Sequence, residues 1–87
     1  MFVILTYDVG TKRVSRIMRT VKKYLRRRQR SVFDGDITEG RLNELKRELE
    51  PLVEPEKDSI IIYKVSSDKL IKTDEIGVIK RVETGIL

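Results

Sequence analysis

Phe2-Val3-Ile4-Leu5-Thr6-Tyr7 is an unbroken apolar, β-prone run, and Asp8-Val9-Gly10-Thr11 closes it with turn chemistry. The run lacks polar alternation, which is the pattern of a strand covered on both faces. From Thr11 the period changes: Ile17, Met18, Val21 and Leu25 lie three, four, seven and eleven residues after Val14. That spacing predicts an amphipathic helix over residues 12–26, with Thr11 as its N-cap. The apolar stripe must face a core, so the basic side chains of this segment are left on its flanks and outer surface.

Further along, Gln29-Arg30-Ser31-Val32-Phe33 reads as a second strand. Asp34-Gly35 follows as a hairpin turn, and Asp36-Ile37-Thr38 as a very short third strand. A β-bulge inside one longer strand is the competing account of the same residues. Thr38 or a neighbour starts a second helix whose Leu42, Leu45 and Leu49 form a core stripe rather than a cofactor site. Pro51 ends or kinks that helix, and Glu54-Pro55-Glu56-Lys57-Asp58 is a polar loop. Ser59-Ile60-Ile61-Ile62-Tyr63-Lys64-Val65 is the next clear strand, followed by a turn over 66–69. The remainder has short apolar pieces around Ile76-Gly77-Val78-Ile79 that suit an edge strand or an arm. The order is βαββαβ plus a tail. This predicts an α+β, ferredoxin-like fold with an antiparallel sheet and two helices on one face. The fold hosts many functions and selects none.

A chain of 87 residues makes one domain over 1–87 with a thin core, so an oligomer that buries more apolar surface is expected. The longest apolar runs fall far short of the ~20 residues that a membrane span requires. No basic segment precedes the first apolar run, so no signal peptide and no membrane association are expected. There is no Cys and no His. Disulfides, thiolate or imidazole metal sites and Ser-His or Cys-His catalysis are thereby excluded. Chemistry here must run on carboxylates, hydroxyls, Lys, Arg or a hard metal ion. A reducing, cytoplasmic location fits this composition.

The net charge of +5 is unevenly spread. Residues 11–30 carry ten basic side chains and no acid, whereas residues 31–60 carry nine acids against four bases. A solvated helix face usually mixes signs, and an unmixed block of this density is the footprint of a polyanion-binding surface. Nucleic acid is the expected partner.

Asp8 is the only acid among the first 33 residues and ends the first strand beside the basic helix. It is placed either to hold Mg²⁺ or Mn²⁺ against a phosphodiester or to make an Asx-turn and help cap the helix. One carboxylate is too few for a well-formed metal site, and a twofold dimer uniting two copies of Asp8 would supply the second. Asp34 and Asp36 read as turn formers. Tyr7 and Phe33 belong to the core or stack on bases. Arg27, Arg28 and Arg30 sit at a helix-to-strand junction with guanidinium groups suited to phosphate. Ser31 either satisfies the backbone or contacts phosphate.

Tyr7-Asp8-Val9, the Arg-rich helix, Arg27-Arg28-Gln29-Arg30-Ser31-Val32-Phe33-Asp34-Gly35 and Ser59-Ile60-Ile61-Ile62-Tyr63 together resemble the family of CRISPR-associated (Cas) protein two. This is the small subunit of spacer adaptation. The resemblance is weakest after Ser66. It implies a ferredoxin-like homodimer whose residues 66–87 form a dimerisation strand or arm. It also implies a metal-dependent endonuclease on single-stranded RNA or double-stranded DNA, with Asp8 as catalytic and metal-binding acid. Mg²⁺ or Mn²⁺ would be the cofactor, and the CRISPR integrase, Cas protein one, a partner. Arg13, Arg16, Arg19, Arg26, Arg27, Arg28, Arg30 and Ser31 become the candidate nucleic-acid contacts, with Tyr7 and Phe33 near the site. Two departures from the pattern, Leu25 where Gly is frequent and Asp34 where Glu is, bear on local turns and not on Asp8. A non-catalytic duplex-binding scaffold and a toxin-like ribonuclease of the same fold are the alternatives.

Overall fold

The structure, a computed structural model, describes residues 1–79. Four strands and two helices follow in the order β1(Phe2–Asp8), α1(Val14–Lys22), β2(Arg26–Gln29), β3(Val32–Asp36), α2(Glu39–Leu49) and β4(Ser59–Val65). Short 3-10 turns occupy Glu50–Leu52 and Asp68–Leu70. The strands form one antiparallel sheet in the order β2-β3-β1-β4. The expected ferredoxin-like α+β arrangement is what the chain adopts.

β1 is central because it is the most apolar segment and can be covered on both edges and one face. Val3, Leu5 and Tyr7 point to the helix side, where they meet Ile17, Val21 and Leu25, Phe33 of β3, and Leu42, Leu45 and Leu49 of α2. Seven of these side chains, including Leu5 and Phe33, are fully buried. Thr38 caps α2 as expected, its hydroxyl accepting from the Arg41 N–H at 3.1 Å. Its helix closes at Leu49, just before Pro51. α1 is fastened to α2 by Lys23 and Tyr24, which both donate to the Glu48 carboxylate, and by the Arg41 guanidinium 4.3 Å over the Tyr24 ring.

Several local expectations are corrected. The reverse turn falls at Arg30-Ser31, and Asp34-Gly35 lies inside β3 rather than at a hairpin tip. The reason is electrostatic: Asp34 sits opposite Arg26 and is gripped by Arg26 at 3.2 Å and Arg28 at 3.3 Å, so its carboxylate serves the ladder. The three residues 26–28 therefore enter β2, and α1 stops at Lys22 instead of reaching residue 26. Thr11 does not cap α1; a tight turn, with the Arg13 N–H donating to the Gly10 carbonyl at 2.9 Å, takes up residues 11–13, and Arg13 occupies the cap position. Residues 71–79 contain no strand, and Ile76 and Val78 are exposed. The rest of the expected arm, 80–87, lies outside the described residues.

Candidate active site and nucleic-acid interface

Strand alternation decides which residues share the sheet face that no helix covers. On β1 these are Phe2, Ile4, Thr6 and Asp8, and their partners on β4 are Val65, Tyr63, Ile61 and Ser59. Ile61 is 48% exposed and Tyr63 53% exposed, so this face carries an apolar patch open to solvent. Asp8 stands at one end of the patch, exposed, with Ser59 as its ladder partner. Its neighbour Tyr7 points the other way. Tyr7 and Phe33 stack in the core with ring centroids 6.1 Å apart, which takes both rings away from any base. The Tyr7 hydroxyl donates to the Arg30 carbonyl at 3.1 Å, and burial raises its pKa while the nearby Arg27 charge works against that.

Among the described residues, no group of three or more carboxylates could hold a metal ion. Asp8 offers hard oxygen donors of the kind Mg²⁺ takes, but a single carboxylate is too few to hold the ion. Asp34 and Asp36 do not make up the deficit: both lie in β3, and Asp34 is already held by two guanidinium groups.

The basic block does not form one surface. Lys12, Arg16 and Arg19 are exposed on or just before α1 and engage no salt bridge among the described residues. Arg26 and Arg28 lie with Asp34 beside the open face, in a wide groove of about 520 Å³ that also includes Phe2, Ile4 and Ile76. Arg27 donates to the Gln29 and Arg30 carbonyls at 3.3 and 3.2 Å and holds the β2–β3 turn. Arg30 is exposed at that turn, and Ser31 accepts through its carbonyl from the Tyr7 N–H at 3.2 Å.

Arg13 is engaged elsewhere. Its Nε and Nη2 donate to the two oxygens of Asp58 at 2.5 and 2.8 Å, and its Nη1 lies 3.5 Å from Glu54. The Asp58 side chain is fully covered and also accepts from the Gly10 and Glu54 N–H groups, each at 2.9 Å. The Arg13 hydrogen bond, ahead of those backbone donors, holds the Asp58 carboxyl far below the usual carboxylate range, against the opposing effect of burial. Asp58 was not among the residues singled out from sequence. Nothing local marks it beyond its position just before an apolar strand, because its main partner is 45 residues away.

Comparison with known proteins gives a consistent result. The family model described as CRISPR associated protein Cas2 matches residues 1–73. A relative from Dictyoglomus turgidum named CRISPR-associated endoribonuclease Cas2 is 38% identical over 87 residues, covering 100% of both chains. One of the same name from Thermotoga maritima is 38% identical over 80 residues, covering 92% of each. A crystal structure of cas2 superposes with a TM-score of 0.86 at 38% identity, covering 95% of this chain and 94% of that one. The crystal structure of Streptococcus pyogenes Cas2 gives 0.78 at 28% identity, covering 88% and 100%. By model, sequence and fold alike, the chain belongs to the CRISPR associated protein Cas2 family.

Proposed function

We propose that the chain is a CRISPR-associated endonuclease working as a homodimer, in which Asp8 from each copy holds a divalent cation against a phosphodiester. The observation that carries this reading is the position of Asp8: exposed, at the end of β1, on the rim of an uncovered apolar sheet face. Covering Ile61 and Tyr63 with the same face of a second copy is an isologous contact, and a twofold axis running past the Asp8 end of β1 would set one carboxylate from each protomer beside the other. Relatives named as endoribonucleases make single-stranded RNA the first substrate to test, with double-stranded DNA the second. A bound Mg²⁺ or Mn²⁺ would neutralise charge on the scissile phosphate and activate water, work for which this chain has no imidazole. The protein's own part is to bind the polyanion along α1, present two acids at a fixed separation, and exclude other geometries.

A second reading, a duplex clamp that partners the integrase in spacer adaptation, is favoured by Lys12, Arg16 and Arg19, which lie on or just before α1 and engage no salt bridge among the described residues. It needs these residues and not Asp8. A metal-titrated cleavage assay on both substrates, with wild type and Asp8→Asn, separates the two. Cation-dependent cleavage lost in Asp8→Asn supports the nuclease, and cleavage retained in the variant contradicts it. Duplex binding without cleavage in either protein leaves the clamp.

A further inference from the structure

Asp58 lies at the junction of two loops, the one that leaves β1 after Asp8 and the one that enters β4. Four donors from three residues fill its oxygens: the Gly10 and Glu54 N–H groups, and two from the Arg13 fork. A carboxylate has about four lone-pair sites, so this one is saturated. The chain that leaves Asp8 is thereby pinned close by: Asp8 itself pairs with Ser59, and two residues on, Gly10 is tied to Asp58. Gly10 is part of the same device for a steric reason. A Cβ there would lie 2.5 Å from Arg13 Nη2, so a side chain at this position forces the guanidinium to shift within its pairing with Asp58. Room for the fork, the fork, and its acceptor are three separate features converging on one loop.

We infer that Arg13, Asp58 and Gly10 form a clamp that positions Asp8, and that Arg13 is a positioning residue rather than a phosphate contact. The inference rests on Asp8 carrying the chemistry, and it adds what fixes that acid in place. A misplacement of ~1 Å at a reacting group can cost ~100-fold in rate. A site needing two copies of Asp8 at one separation is correspondingly sensitive to movement of this loop.

The experiment compares wild type, Asp8→Asn, Asp58→Asn and Gly10→Ala as full-length proteins. Cleavage is titrated with Mg²⁺, duplex binding is measured against salt, and folding is checked by thermal melting. Gly10→Ala retains every charge and keeps the test decisive if Asp58→Asn does not fold. The expected result for both clamp variants is kcat reduced ~10–100-fold with more Mg²⁺ needed for half-maximal rate, while the salt slope of duplex binding stays at its wild-type value. A generally loosened protein would lose binding as well. Asp8→Asn inactive with Gly10→Ala and every folded clamp variant fully active at wild-type Mg²⁺ demand overturns the clamp alone. Full activity in Asp8→Asn overturns the reading of the site and the clamp with it.

Discussion

One sheet presents two very different faces. On the helix side Val3, Leu5 and Phe33 are fully buried under two helices, whereas on the opposite side Ile61 and Tyr63 stand about half exposed. The first face is a finished core. The second is apolar too, but its β4 side has no covering layer among the described residues, although Phe2 on the same face is buried. The difference teaches that β1 serves both faces: alternate residues of one strand hold the fold together and point Asp8, the proposed catalytic acid, outward. In the proposed dimer, the second copy that covers the apolar face of this 87-residue chain with its thin core would also double the acid count.

The contrast can be broken most severely from the buried side. Phe33→Ala empties a fully buried ring position and is expected to cost ~3–5 kcal/mol in chemical denaturation, enough to unfold a domain of this size. Asp8→Asn, on the exposed rim, should reduce cleavage at least ~100-fold while changing unfolding free energy by less than ~0.5 kcal/mol. Function and stability would then be cleanly separated along one strand.

A charge placed within the open face should have an intermediate effect. Ile61→Lys is expected to leave a folded protomer but prevent association, read as a shift from dimer to monomer mass by light scattering, with cleavage lost in parallel. Dimers persisting undiminished would show that this face is not the interface.

Legibility from sequence follows the same division. β1, α2 and β4 were evident because apolar runs and the Thr38 cap are local signals, and the Leu42, Leu45 and Leu49 stripe could only be core. β2 was missed because Arg26-Arg27-Arg28-Gln29 is a wholly polar edge strand with no alternation to detect. Asp34-Gly35 has the composition of a turn, and only the tertiary pairing with Arg26 and Arg28 reveals it as part of a ladder. Asp8 was recognisable as a lone acid among cations. Asp58 was not, since its meaning depends on an arginine brought to it by the fold.

The Asp58 clamp makes a further, smaller prediction in pH. Its folded carboxyl lies well below the unfolded value of about 4, so its stabilisation is complete above that value and is lost progressively as pH falls beneath it. Melting temperature should therefore decline below about pH 4, and Asp58→Asn should start lower and decline less steeply over the same range. Smallest of all is the effect of single cations on α1. Arg16→Ala and Arg19→Ala should each reduce the log–log salt slope of duplex binding by ~0.9 if each neutralises one phosphate.

The central claim is that one protomer holds half a site. Mixing wild type with Asp8→Asn in varied proportion, after full subunit exchange, tests it directly. If cleavage needs Asp8 from both copies, activity per total protein falls with the square of the wild-type fraction. A linear fall would mean that each Asp8 acts alone, and would contradict the account.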